Sequence, residues 1–155
     1  MKTLLGFLLL CGALTTAAFA TDNIPQLPKT LNNARYVYVT AYDGDQFDHN
    51  LLPDDRQAIA AVQDAIQKSG KFILVYQPDQ ADIILRVQSR PSEDVLAVYD
   101  GHGLRDQYLW RAMGRNGLQQ GETPLVTQFL QAFEKMAGKA PTPQARMGSA
   151  AMVSS

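Results

Sequence analysis

The stretch SGKFILVYQPDQADIILRV, residues 69–87, decides the fold because it carries the chain from the end of a helix into two strands. Gly70 is the residue type that commonly ends a helix. The apolar run KFILVYQ (71–77) predicts a strand that is buried on both faces and therefore central in its sheet. PDQAD (78–82) predicts a turn, and IILRVQ (83–88) predicts the next strand.

The segments before this stretch predict a strand followed by a helix. RYVYVTAY (35–42) alternates and is rich in β-branched and aromatic residues, as is typical of a strand. Pro53 begins a helix, with Asp54 and Asp55 in the first turn, where negative charge favours the helix dipole. Apolar residues then recur at helical spacing until Gly70. Because this helix joins the first strand to the second, those two strands should run parallel.

The segments after it predict further strands and a second helix. VLAVYD (95–100) and QYLWRAM (107–113) read as two strands, and the run from Pro124 to Gly138 has an amphipathic pattern. The predicted element order is β-α-β-β-β-β-α, with the later strands joined by short connections as an antiparallel meander. Two helices that cover one face of a mixed sheet make an α/β fold, specifically a two-layer α+β sandwich.

The two ends of the chain differ from this central part. Residues 1–20 combine a basic residue, a short apolar run and the ending Ala-Phe-Ala, which is the pattern of a secretory signal peptide cleaved after Ala20. Residues 21–33 are polar and carry prolines, so we interpret them as a linker. The predicted single domain covers 34–137, and the small, polar residues of 138–155 predict a disordered tail.

Composition narrows the functional class. The single cysteine, Cys11, lies inside the predicted signal peptide, so the mature chain would have no disulfide and no thiolate site. The net charge is −1, which argues against a nucleic-acid partner or an anionic membrane surface. No segment after the signal peptide is long and apolar enough to be an integral membrane span. We therefore expect a periplasmic or secreted protein.

AVYDGHG, residues 97–103, resembles the metal-binding strand end of the PP2C-type protein phosphatases. The resemblance implies an alternative function, a divalent-metal-dependent phosphatase-like hydrolase that would use Asp43, Asp100 and His102. Two divalent ions need many oxygen ligands from separate strands, and the other acidic motifs of that family are absent. We favour a hairpin loop between two strands, in which Gly101 and Gly103 permit positive φ and either Asp100 or Asp106 accepts a hydrogen bond from the turn backbone.

The helix end SGKF, the strand entry ADIIL and the later strands LAVYD and QYLW occur in an order that resembles small bacterial envelope domains. Those are the curli-secretion (CsgG-like) domains and the amino-terminal domains of TolB. The resemblance covers about residues 35–137 and implies a scaffold for assembly or secretion. The lipid anchor and membrane-inserting segments of the curli pore are missing, so the resemblance does not imply pore formation. We expect no cofactor and no catalytic residue, because the sequence has no catalytic constellation.

A sheet covered by helices on one face leaves the other face for contact with a partner. Alternation within the predicted strands assigns to that face aromatic and arginine side chains, the residue types that dominate interaction hot spots: Tyr36, Tyr38, Arg86, Tyr108 and Trp110. The sequence therefore favours a non-catalytic exported domain that binds an envelope protein or a second copy of itself. Cross-strand packing of the same aromatics in a purely structural protein is the alternative.

Overall fold

The computed structural model describes residues 25–103 and 105–138. Five strands and two α-helices form the domain, and two short 3-10 helices join them. In chain order these are a 3-10 helix Lys29–Asn33, β1 Tyr36–Ala41, α1 Pro53–Ser69, β2 Ile73–Leu74, a 3-10 helix Pro78–Gln80, β3 Ile83–Ser89, β4 Asp94–Asp100, β5 Trp110–Gly114 and α2 Pro124–Gly138. The predicted order of strands and helices is confirmed.

All five strands belong to one mixed sheet in the order β2-β1-β3-β4-β5. β1 pairs parallel with β2 on one side and with β3 on the other, whereas β3, β4 and β5 pair antiparallel. The parallel pairing of β1 with β2 agrees with the prediction that α1 is a crossover. The mixed α/β class predicted from the sequence is therefore correct.

Both helices pack on the same face of the sheet and enclose the main core between the two layers. α1 ends where predicted, because Gly70 adopts the left-handed conformation at φ 65°. α2 places Phe129 against Phe72 and Trp110, with ring centroids 5.7 and 6.1 Å apart. All three rings are buried, so aromatic contacts add to the aliphatic packing that holds α2 on the sheet.

The prediction of a long central second strand is wrong. β2 contains two residues at the edge of the sheet, and Ile73 is 55% exposed. Since β2 and β3 lie on opposite sides of β1, the chain must leave β2 early and cross β1 before β3 begins. Val75 and Ala81, near the two ends of that crossing, pack in a second small cluster on the sheet face opposite the helices.

The segment predicted as a linker also belongs to the folded domain where the structure describes it. Leu27 and Leu31 are buried in the main core, and the carbonyl of Pro25 accepts a hydrogen bond from Trp110 Nε1 at 2.8 Å. The predicted signal peptide and nearly all of the predicted tail lie outside the described residues.

Candidate functional site

The sheet face opposite the helices is the candidate site, and we call it the open face. Alternation and strand register assign to it the following side chains: Tyr36, Tyr38 and Thr40 of β1, Ile84, Arg86 and Gln88 of β3, Val95, Ala97 and Tyr99 of β4, and Arg111 and Met113 of β5. Tyr38, Ile84 and Tyr99 form the second cluster, partly under the crossing segment. The rest of the face is left to interact with solvent or a partner.

Three of the five side chains predicted on the open face lie there. Tyr36 is 42% exposed and Arg86 is partly exposed, but Tyr38 is only 8% exposed. Tyr108 precedes β5 and is exposed. Trp110 was assigned to the wrong face, since it is 1% exposed and packs in the main core beneath α2.

Arg111 and Met113 of this face were not predicted from the sequence because the expected alternation of β5 was reversed. With Trp110 facing the core, Arg111 and Met113 face outward, and Met113 is 48% exposed. The hydrogen bond from Trp110 to the amino-terminal segment joins residues far apart in sequence, so the strand pattern alone did not reveal it. Tryptophan is on average more buried than arginine, and this difference is the one sequence signal that favours Trp110 over Arg111 on the core side.

The open face carries two arginines beside two tyrosine hydroxyls. The Arg86 guanidinium lies 4.5 Å from the centroid of the Tyr99 ring, and the Tyr99 hydroxyl donates to the Tyr42 hydroxyl at 3.2 Å. Burial raises the pKa of Tyr42 to about 12, and the bond with Tyr99 adds to this, while Arg86 and Arg111 act in the opposite direction. The Arg86 guanidinium therefore lies beside this pair of phenols.

The DGHG loop has a structural role that the described contacts explain. A Cβ atom on Gly101 would lie 1.8 Å from the carbonyl oxygen of Ala81, so glycine is required for close approach of the two backbones. Neither glycine of the motif has a positive φ, so the expected reason for their presence is wrong. Asp100 accepts a hydrogen bond from the His102 N–H as predicted, and His102 Nε2 lies 3.0 Å from Asp82 Oδ1.

The hypothetical metal site of Asp43, Asp100 and His102 is wrong as a single site. Asp100 pairs with the first residue of β3, whereas Asp43 follows β1, whose last residue pairs with Val87. Ile83 and Val87 are four residues apart along β3, which corresponds to about 13 Å. Asp43 instead forms an ion pair with Arg90 at 2.7 Å. Within 25–103 and 105–138, no group of three or more His, Cys, Asp or Glu side chains could hold a metal ion.

A polar cleft of about 440 Å³ lies near the start of α1 and the hairpin between β3 and β4. Two of the charged residues that line it are held by internal hydrogen bonds. Arg90 donates to both carboxylate oxygens of Asp55, which is 1% exposed and also accepts the Ser89 N–H at 2.7 Å. Asp94 accepts from the Ser89 hydroxyl and the Leu118 N–H. The bonds of Asp55 join α1 to the hairpin.

On the open face, Arg86 and Arg111 form no ion pair with a carboxylate of the described residues. None of the helices in the described part of the chain is long and apolar enough to cross a membrane. No family model, curated protein or solved structure matches the chain, so the site is interpreted from its own geometry.

Proposed function

We propose that this protein is a non-catalytic exported domain of the cell envelope, periplasmic or secreted, that binds a protein partner through its open face. The observation that carries the proposal is the set of unpaired cations and exposed apolar side chains on that face. Arg86 and Arg111 form no ion pair with a described carboxylate, and Met113 and Tyr42 are 48% and 38% exposed beside them.

Several features support a binding role over catalysis. Arginine and tyrosine are enriched at interaction hot spots, where partly buried rings and planar guanidinium groups provide large contact areas. The other charged clusters, around Asp55 and around Asp82, are occupied by internal hydrogen bonds. The resemblance to CsgG-like and TolB amino-terminal domains supports a role as an accessory of envelope assembly or secretion. The partner is then an envelope protein or a second copy of this chain.

Site-specific photocrosslinking tests the proposal. The full-length protein is produced in its native cells with benzoylphenylalanine in place of Met113, and the envelope fraction is irradiated. A control protein carries the same group in place of Gln131, an exposed residue of α2 on the other layer. We expect a discrete adduct from the Met113 position alone, either with one envelope protein or at twice the mass of the chain. Absence of an adduct from Met113, or identical adducts from both positions, would refute a role for the open face.

A further inference from the structure

Three side chains on the open face form one cross-strand row. Arg86 of β3 is paired with Ala97 of β4, and Ala97 is paired with Arg111 of β5. Neighbouring strands are about 4.8 Å apart, so the Cα atoms of the two arginines are separated by about 10 Å. Ala97 is fully buried, so neighbouring side chains cover the small residue between the two arginines. We call these three residues the arginine row.

Both guanidinium groups of the row are available for binding. Neither donates a hydrogen bond to the described residues, and no buried side-chain nitrogen of those residues lacks a partner. The N–H groups of Arg86 and Arg111 therefore reach solvent. The Tyr99 ring restricts the movement of the Arg86 side chain, so less conformational entropy is lost when an anion binds to Arg86.

The surroundings of the row indicate what kind of anion it fits. The two guanidinium groups carry like charges that repel each other, and an anion between them would relieve this repulsion while accepting hydrogen bonds from both sides. The net charge of −1 opposes a polyanion such as nucleic acid or an anionic membrane surface. Met113 and Tyr42 provide exposed apolar surface next to the cations, which favours a peptide that carries apolar side chains as well as a charge.

We infer that the arginine row binds the carboxylate of an Asp or Glu residue flanked by apolar residues in a segment of the protein partner. This inference rests on the proposed function, since it names the chemistry of the partner at the same face. The planar carboxylate matches the fork of guanidinium N–H groups, and the apolar neighbours cover Met113 and Tyr42. A partner without an acidic residue at this point would leave two cations desolvated and unpaired, which provides specificity.

Nuclear magnetic resonance titration of the full chain tests the inference with a defined probe. The probe is a terminally blocked Leu-Glu-Leu peptide, and the matched control peptide has Gln in place of Glu. We expect saturable shifts of the backbone amide signals of the arginine row with the Glu peptide at millimolar concentration, and none with the Gln peptide. Arg86→Gln and Arg111→Gln should each weaken binding roughly tenfold or more, because each removes hydrogen bonds to a charged group.

Charge-matched variants separate this effect from a general loss of positive charge. Lys68→Gln and Lys135→Gln change the net charge equally on exposed residues of the two helices and should leave the titration unchanged. Equal binding of the Glu and Gln peptides, or unchanged binding by the two arginine variants, would overturn the inference. Equal or tighter binding of inorganic phosphate or of phosphatidylglycerol vesicles at the row would overturn the assignment to a peptide carboxylate.

The crosslinking experiment distinguishes failure of this inference from failure of the proposed function. If the adduct at position 113 persists in the Arg86→Gln, Arg111→Gln double variant, the partner binds the open face without the row, and only the inference fails. If the adduct is lost in that variant and kept in the Lys68→Gln, Lys135→Gln control, both stand. If position 113 gives no adduct in the unsubstituted background, the proposed function fails.

Discussion

Replacement of Gly101 by alanine should destabilise the domain strongly, although the change adds one methyl group to a loop. The added Cβ would lie 1.8 Å from the carbonyl oxygen of Ala81 and 2.9 Å from the carbonyl carbon of Asp82. Ordinary contacts between carbon and oxygen are about 3.3 Å. One of the two backbone segments must therefore move by more than about 1 Å, since neither contacting atom belongs to a flexible side chain.

That displacement has a calculable cost. Gly101 donates its N–H to the Asp82 carbonyl at 2.9 Å, and the neighbouring Asp100 pairs with Ile83 at the end of the β3–β4 ladder. Losing one such hydrogen bond costs about 1 kcal/mol, and overpacking a buried position costs about 1–3 kcal/mol. We expect a loss of about 2–4 kcal/mol in the free energy of unfolding. For a domain of this size, that corresponds to a decrease in Tm of roughly 10 °C.

Urea unfolding followed by the fluorescence of Trp110, the only tryptophan of the chain, provides the assay. Gly101→Ala should lower the midpoint without changing the m value. Gly103→Ala is the matched control, because its Cβ would meet only the side chain of Asp100, at 3.0 Å, and the residue is exposed. We expect this control to lose less than about 1 kcal/mol. A Gly101→Ala protein as stable as wild type would refute the close-approach explanation of the DGHG loop.

Three further substitutions test the internal polar contacts. Asp55→Ala should lower the free energy of unfolding in urea by about 3–5 kcal/mol, because Asp55 is 1% exposed and binds Arg90. The exposed control Asp54→Ala should lower it by less than about 1 kcal/mol, and equal losses would contradict this explanation. Partial burial raises the pKa of Asp82, but backbone N–H donors and the paired histidine outweigh it and hold the pKa below its ordinary value. Asp82→Asn should thus be less stable than wild type at pH 7, with the gap closing as the pH falls through the lowered pKa, below about 4; a gap unchanged at pH 3 would argue against this. Burial raises the pKa of Tyr42 to about 12. Because the phenol ionises at a lower pH in the unfolded chain, wild type should lose stability as the pH rises from about 10 towards 12, and Tyr42→Phe should lose less. Identical alkaline unfolding curves for the two proteins would exclude the effect.

The elements that could be predicted from sequence are those determined by local interactions. Pro53 at the start of α1 and the left-handed Gly70 at its end specify this helix within the segment itself. The last three residues of KFILVYQ illustrate the opposite case. Their composition is typical of a strand, but β3 also pairs with β1, so the chain must cross over and β2 stops at Leu74. Strand neighbours depend on contacts distant in sequence, which local patterns do not contain.

The same distinction explains which part of the candidate site was found. Tyr36, Tyr38 and Arg86 were assigned correctly because β1 and β3 alternate between clearly different residue types. β5 carries large side chains on both faces, so its alternation is ambiguous until the position of the core is known. The wrong alternation assigned Trp110 to the open face and Arg111 to the core, so Arg111 was not recognised as the second cation of the arginine row.

The charge balance of the chain strengthens the case that this row is a binding site. The sequence has 14 Lys and Arg residues and 15 Asp and Glu residues, so acidic residues are not scarce. Arg90, by contrast, forms ion pairs with both Asp43 and Asp55. Arg86 and Arg111 lie on either side of Ala97, and no described carboxylate forms an ion pair with them. Because an acidic residue at position 97 or 113 would lie beside one or both arginines, the alanine and methionine found there leave the two positive charges without a carboxylate partner among the described residues.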